Sequence, residues 1–204
     1  MQRFILTGAP GAGKTTIIRQ LERWGLPVVE EAASDVIALE QALGVDEPHR
    51  DPAFIDRIAE LQALRRRRAA QAPDAFQFHD RSAVCTLALA RFLGHPASGA
   101  LTGELRRIKA EAAYQRQVFF IGNLGFVTPT AARRISFEDA LEFERVHEET
   151  YRELGYALTR IAPGPAPERA RAVVDAAGAR GMVDEGGPWA DILASGHPCA
   201  PGDR

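Results

Sequence analysis

The sequence is poor in cysteine and shows no residue pattern typical of a structural metal site. Of its 204 residues only two are cysteine, Cys85 and Cys199, and they are far apart. The five histidines do not fall at metal-ligand spacings. We therefore expect neither a disulfide framework nor a zinc site, and we interpret the histidines as structural or surface residues.

Long apolar runs and an excess of one charge are absent as well. No apolar stretch approaches the length of a membrane span. The 25 basic and 27 acidic residues give a formal net charge of −2, so no overall field attracts nucleic acid or anionic lipid. The chain enters an apolar segment at residue 3, so we expect no signal peptide. We expect a cytoplasmic protein with no membrane partner, for which nucleic acid is an unlikely partner.

The sequence does contain a glycine-rich stretch, GAPGAGKTT, at residues 8–16. It fits the pattern G-x-x-x-x-G-K-[ST], with a β-prone run ahead of it and helical apolar spacing behind it. In a strand, loop and helix of this kind, backbone N–H groups and the helix dipole can surround a phosphate. We predict a nucleotide-binding P-loop made of Gly8, Ala9, Pro10, Gly11, Ala12, Gly13, Lys14, Thr15 and Thr16.

Three side chains of this loop have predicted roles. Lys14 would place a cation on the β- and γ-phosphate oxygens, and the Thr15 hydroxyl would be a ligand of Mg²⁺. Thr16 is placed to reach the α-phosphate. The alternative, a glycine-rich turn that merely joins a strand to a helix, does not explain why the glycines, lysine and hydroxyl coincide. The predicted cofactors are therefore Mg²⁺ and ATP as phosphoryl donor.

Short apolar strands alternate with helical segments along most of the chain. Such strands, apolar on both faces, predict a parallel sheet covered on each side. We predict an α/β protein of the P-loop NTPase fold over residues 1–178, with a five-stranded parallel sheet and helices on both faces. The expected strands are 3–7, 27–30, 75–79, 117–121 and 157–161, and the expected helices are 15–24, 32–43, 54–71, 82–93, 101–115, 136–154 and 167–177, with a loop at 44–53.

Two other segments are defined by their local pattern. Ser136 begins the capping pattern S-x-x-[DE], which predicts the start of a helix there. Residues 179–204 are rich in glycine, proline and small polar residues. We expect this C-terminal tail to be flexible or loosely docked, with Trp189 as its anchor if it docks.

Charged residues follow two of the predicted strands, at the edge where parallel sheets bind ligands. Asp80 is predicted to hold the metal or to act as a general base, the alternative being a helix N-cap. Glu31 is predicted to accept the acceptor's proton, the alternative being a solvated carboxylate at a helix start. Arg81 could bind a phosphate or the acceptor, or could form an ion pair with Glu31.

Two groups of arginines have different interpretations. Arg133 and Arg134 follow the fourth strand, and we expect at least one of them to be a lid arginine that closes over the triphosphate; otherwise both are surface charge. The run at residues 65–68 covers every face of a helix, and we interpret it as a solvated patch, the alternative being a contact for an acidic partner.

The chain resembles small P-loop kinase-like ATPases of the AAA type. It is similar to the ribosylnicotinamide kinase domain and, more distantly, to deoxynucleoside and thymidylate kinases. The resemblance covers roughly residues 1–178. It rests on GAPGAGKTT, PVVEEAA at 27–33, a helix with Gln62, FHDRS at 78–82, RRISFEDA at 133–140 and YRELGY at 151–156.

This resemblance implies a kinase-like fold with a lid, in which Asp80 and Arg81 lie at the catalytic rim and Glu31 lies near the acceptor. It also implies that Gln62 reads the ring of the acceptor, the alternative being exposed helix polarity. Two departures fall where an acceptor would bind: Ser34, where relatives commonly have arginine, and GNLGF at 122–126, where they commonly have prolines and an aromatic residue. These departures leave the identity of the acceptor open and do not bear on the ATP site.

The leading hypothesis is a small-molecule kinase that moves the γ-phosphoryl of Mg·ATP to a hydroxyl or phosphate of a nucleoside-like acceptor. The alternatives are a regulatory or slowly hydrolysing ATPase and a nucleotide-dependent binding module whose tail contacts a protein or a nucleic acid. No N-K-x-D or T-K-x-D motif supports a GTPase switch, and no separate helical lid domain supports an oligomeric AAA motor. The oligomeric state is left open.

Overall fold

The computed structural model describes residues 1–124 and 136–183 of the chain. Within them five strands form one parallel sheet with the order β2-β3-β1-β4-β5. This confirms the predicted fold, and the last two strands have the predicted bounds. The strands are β1 Gln2–Thr7, β2 Val28–Val29, β3 Phe76–Asp80, β4 Gln117–Ile121 and β5 Ala157–Ile161.

Seven α-helices lie in the same described ranges, between the strands and after β5. They are α1 Lys14–Arg23, α2 Ala33–Ala42, α3 Ala53–Ala69, α4 Ala83–Phe92, α5 Gly99–Ala110, α6 Phe137–Glu153 and α7 Ala166–Ala177. Short 3₁₀ turns lie at Pro48–Arg50, inside the predicted loop, and at Arg180–Met182. None of the helices in the described ranges is long and apolar enough to cross a membrane.

Serine caps set the beginnings of two helices. The Asp139 amide donates to Ser136 Oγ over 3.0 Å, so α6 begins where the capping pattern predicts. Helix α5 begins before the predicted residue 101, because Ser98 Oγ accepts from the Leu101 amide at 3.1 Å. It also ends earlier than predicted, where Ala112 has a positive φ of 44°.

Two apolar layers cover the faces of the sheet. Side chains alternate along β1, so Phe4 and Leu6 pack with α1 and α7, whereas Ile5 packs on the opposite face. That opposite layer is formed by helices α2 to α6. The core continues past residue 178, because Ala179 is buried and Val183 packs against it.

Strand register brings the predicted site residues to one edge of the sheet. Leu6 of β1 is in register with Asp80 of β3, and Thr7 is in register with Phe120 of β4. The glycine loop after β1 and the charged residues after β3 therefore emerge side by side at the carboxyl ends of the strands. This edge is where ligands bind in open α/β sheets.

Candidate functional site

The glycine loop joins β1 to α1 in a conformation that its glycines allow. Gly8, Gly11 and Gly13 have φ values of 134°, 85° and 82°. A Cβ on Gly8 would lie 2.5 Å from the carbonyl oxygen of Ile121, so β4 leaves no space for a side chain. Gly13 at the N-cap of α1 has no side chain to cap the first turn. The amides of that turn therefore keep their capacity to bind an anion.

Lys14 folds back over the loop. Its Nζ donates to the carbonyl oxygens of Gly8 at 3.0 Å and Ala9 at 2.8 Å, and the residue is only 6% exposed. Burial, together with the charge of Arg81, lowers the pKa of Lys14 to about 7, although Asp80 and Glu31 act in the opposite direction. The ammonium is thus poorly solvated, and a phosphate group would stabilise its charged form.

Asp80 ends β3 with a carboxylate that is almost entirely buried. Its exposed fraction is 5%, and Oδ1 has no hydrogen-bond partner within the described part of the chain. Burial, and secondarily the charge of Glu31, raises the pKa of Asp80 to about 6. The N-cap alternative is wrong: Ser82 caps α4, with its Oγ accepting from the Val84 amide at 3.2 Å.

Thr15 and Asp80, the predicted metal pair, do come together. They line one small cavity of about 130 Å³, to which Glu31 and Ser34 also contribute. A hydroxyl and an orphaned carboxylate oxygen are ligands suited to Mg²⁺. No cluster of three or more His, Cys, Asp and Glu residues able to hold a metal is found in residues 1–124 and 136–183. These residues therefore fit Mg²⁺ only as a site that shares the ion with phosphate oxygens, which is usual for this ion.

Glu31 and Arg81 form an ion pair, as one of the two interpretations of Arg81 predicted. Arg81 Nε lies 2.5 Å from Glu31 Oε1, and Ser34 Oγ donates to Glu31 Oε2 at 2.7 Å. Burial raises the pKa of Glu31, but Arg81 and Lys14 outweigh it and the pKa is lowered. The side chain of Glu31 is 19% exposed, so it is not the solvated carboxylate of the alternative interpretation.

His147 supports Arg81 from α6, a contact that the sequence did not reveal. Its Nδ1 lies 2.8 Å from the Phe143 carbonyl oxygen, to which it donates, and its Nε2 then accepts from Arg81 Nη1 at 3.2 Å. Burial, with the charge of Arg81, keeps the pKa of His147 well below its ordinary value, which holds the ring neutral. Arg81 itself has a strained φ of 72°. Its guanidinium is therefore held from two sides.

A second missed cluster ties the end of β1 to α4 and α6. The Tyr151 hydroxyl lies 2.9 Å from Ser82 Oγ and 3.0 Å from Cys85 Sγ, and Cys85 Sγ lies 3.2 Å from Thr7 Oγ1. Tyr151 is fully buried, and burial raises its pKa well above the ordinary value. The segment around Tyr151 was part of the resemblance, but only its spatial neighbours show what this hydroxyl contacts.

A larger cavity of about 390 Å³ opens beside the loop, beyond the Glu31–Arg81 pair. Much of its wall is apolar, and Gln62 lies in it with Oε1 accepting from Thr86 Oγ1 at 2.7 Å. Gln62 is therefore not merely exposed helix polarity. The apolar part of the wall is formed by Ile37, Phe54, Ile58, Leu89, Phe92, Leu93 and Phe143.

The two groups of arginines have different outcomes. Arg133 and Arg134 lie outside the described residues. The solvated-patch interpretation of residues 65–68 is wrong for Arg66, which is buried and pairs with Glu104 at 2.8 Å and Glu111 at 2.7 Å. Arg65 is part-buried and contacts Asp35, whereas Arg67 and Arg68 are exposed as expected.

Comparison with known proteins places the chain in a family. A family model described as "AAA domain" matches residues 3–169. The chain belongs to this AAA domain family. No curated protein matches the sequence.

Solved structures of low sequence identity share the fold. NadR protein in complex with NAD and AMP-PNP has a TM-score of 0.63 at 19% identity, over 87% of this chain and 49% of that chain. NadR in complex with NR has a TM-score of 0.62 at 19% identity, over 86% of this chain and 49% of that chain. The chain thus spans about half the length of these NadR chains. Deoxyadenosine kinase from M. mycoides, with the products dCMP and dCDP, has a TM-score of 0.56 at 11% identity, over 87% of this chain and 99% of that chain. The chain therefore shares its fold with NadR and with this deoxyadenosine kinase.

Proposed function

We propose that this chain is an ATP-dependent phosphotransferase that moves the γ-phosphoryl of Mg·ATP to a hydroxyl of a small, nucleoside-like acceptor. The observation that carries the proposal is the 390 Å³ cavity beside the phosphate loop, reached past the Glu31–Arg81 pair. Cavities of this size hold small organic ligands. An ATPase that only hydrolyses its nucleotide needs room for a water molecule there and no second chamber.

The donor site is assigned to the loop and its two neighbours. The loop amides, the first turn of α1 and Lys14 would bind the β- and γ-phosphates. Thr15 and Asp80 would hold Mg²⁺, and the buried, orphaned Oδ1 of Asp80 supports this assignment. When bound, the ion neutralises phosphate charge and orients the γ-phosphoryl group.

The transfer step is assigned to groups at the cavity mouth. The acceptor hydroxyl would donate a hydrogen bond to Glu31, which Arg81 and Ser34 hold in place. Its oxygen forms a bond to the γ-phosphorus while the bond to the β,γ-bridging oxygen breaks, its proton passes to Glu31, and ADP leaves. Lys14 stabilises the charge that develops on the transferring oxygens. Arg133 and Arg134 are proposed as lid arginines and lie outside the described residues.

The charges around the cavity favour a hydroxyl over a phosphate as the accepting group. Four carboxylates line it, those of Glu31, Asp46, Glu47 and Asp139, against one arginine, Arg81. Arg81 pairs with Glu31 and Arg50 pairs with Glu47, which leaves Asp46 and Asp139 without a basic partner in the described residues. A phosphorylated acceptor would bring further negative charge into this surrounding. NR in NadR and dCMP in the deoxyadenosine kinase belong to those proteins, but they support a nucleoside-like body here.

ADP release from Mg·ATP, measured across a panel of nucleosides and their monophosphates, tests the proposal. We expect strong stimulation by one uncharged or cationic compound, with one phosphorylated product formed per ADP. Slow ADP release that no compound stimulates would favour the hydrolysing ATPase instead. Stimulation by monophosphates alone would contradict the assignment of a hydroxyl acceptor.

A further inference from the structure

Arg169, on α7, is a buried cation that contacts the phosphate loop from the side opposite the acceptor cavity. Its Nη1 donates to the Ala12 carbonyl at 2.7 Å, and its Nη2 donates to the Gly122 carbonyl at 2.9 Å. A Cβ on Gly13 would lie 3.0 Å from Nη1. The guanidinium thus lies against the turn that leads into α1 and bridges it to the end of β4.

The charge of Arg169 is not balanced within the described residues. The residue is 4% exposed, its Nε has no hydrogen-bond partner there, and no carboxylate in those ranges pairs with it. Burial lowers its pKa, with no opposing acidic neighbour. Arg66, which is also buried, has two carboxylate partners, Glu104 and Glu111, whereas Arg169 has none in the described residues. Leaving a charge buried and unpaired is costly.

We propose that Arg169 is a positioning residue of the nucleotide site, which holds the phosphate loop and whose unpaired charge is balanced by the polyphosphate that the loop binds. The proposal rests on the proposed nucleotide site. Two carbonyl contacts fix the guanidinium, so its charge is pre-organised beside the loop and acts on the phosphates through low-dielectric protein. The same contacts hold the Ala12–Gly13 segment against β4.

Replacing Arg169 tests this electrostatic role. Arg169→Met removes the charge at similar length, Arg169→Lys keeps it, and Arg171→Gln is the matched control on the same helix, because Arg171 stacks over Trp24 instead. Calorimetry with Mg·ATP, Mg·ADP and adenosine gives the affinities. For Arg169→Met we expect a loss of roughly tenfold for ATP, about 1.4 kcal/mol, a smaller loss for ADP and none for adenosine. The salt dependence of ATP binding should weaken in parallel.

Several outcomes decide between this role and a structural one. Arg169→Lys should keep ATP affinity within about threefold, since a lysine retains the charge. Equal losses for ATP and adenosine, or unchanged ATP affinity, would overturn the proposal while leaving the nucleotide site in place. A wild-type protein that binds no nucleotide would overturn both. If Arg169→Met does not fold, Arg169→Lys is compared with the neutral variant Arg169→Gln. An equal loss of ATP affinity in these two variants would refute the role of the charge.

Discussion

Asp80 offers a quantitative test, because a buried carboxylate placed to bind a metal should destabilise the folded protein when no ligand is bound. Burial raises its pKa from the ordinary 3.8 to about 6, so the folded protein holds an extra proton between about pH 4 and pH 6. Stability therefore falls as pH rises through that window, and the full cost is present above it. At 1.36 kcal/mol per pKa unit, the gap corresponds to about 3 kcal/mol at pH 7.

Asp80→Asn removes this charge at nearly constant shape. We expect the ligand-free variant to be more stable than the wild type at pH 7, by up to about 3 kcal/mol, because the amide cannot ionise. The gain is smaller to the extent that the buried Oδ1 position still has no partner. Near pH 4 the wild-type carboxyl is protonated, so the difference should vanish. Mg²⁺-dependent ATP binding should be lost at both pH values.

Urea unfolding followed by tryptophan fluorescence at pH 4, 5, 6 and 7 measures the effect. Asp175→Asn is the control: Asp175 pairs with Arg180 at 2.6 Å, which lowers its pKa, so neutralising it should bring no gain. An Asp80→Asn variant that is no more stable than wild type at pH 7, with an unchanged m value, would refute the reasoning. So would a gain that is independent of pH.

Three further perturbations test neighbouring parts of the site. Lys14→Ala should weaken Mg·ATP binding by roughly 100-fold, since charge-assisted hydrogen bonds contribute about 1.5–3 kcal/mol each; calorimetry showing normal affinity would remove Lys14 from the site. Glu31→Gln should spare ATP binding yet slow acceptor phosphorylation by about 10²–10⁴-fold, the contribution typical of a general base, whereas Glu22→Gln, at an exposed position of α1, should not. Gly8→Ala should destabilise the protein by more than the ~1–2 kcal/mol of positive-φ strain alone, because the new Cβ would contact the Ile121 carbonyl oxygen. Gly44→Ala, in open space at φ 89°, should cost only the strain. Equal unfolding midpoints for the two variants would contradict this.

The sequence predicted the fold well because local signals carry it. Strand β4 is a short apolar run that Gly122 follows, and β5 lies between Gly155 and Pro163. Ser136 caps α6 through its own neighbour Asp139. The P-loop was recognised because its glycines, lysine and threonine are contiguous. Where a cap was overlooked, as at Ser98 before α5, the predicted boundary moved by a few residues.

Contacts between distant segments were beyond this kind of reasoning. Arg66 seemed solvated because its partners, Glu104 and Glu111, lie on another helix. His147 and Arg169 lie on helices whose sequences indicate only amphipathic packing. The residues adjacent to them in sequence therefore do not predict a contact with the site. The larger cavity is lined by four helices and a 3₁₀ turn, and its volume depends on how they pack. Covarying positions in homologous sequences are the kind of signal that could have linked them.

The cost of burying three charged groups, Lys14, Asp80 and Arg169, indicates where an anionic ligand binds. Burial leaves Lys14 with a pKa near 7 and Asp80 with one near 6, and Arg169 lacks a carboxylate partner in the described residues. A sequence selected for stability alone would replace such groups or pair them. A polyphosphate with a divalent cation relieves all three costs together, the anion for the lysine and arginine and the cation for the aspartate. An apolar ligand in the larger cavity relieves none of them, so we place the phosphates at the loop and the acceptor body in the cavity.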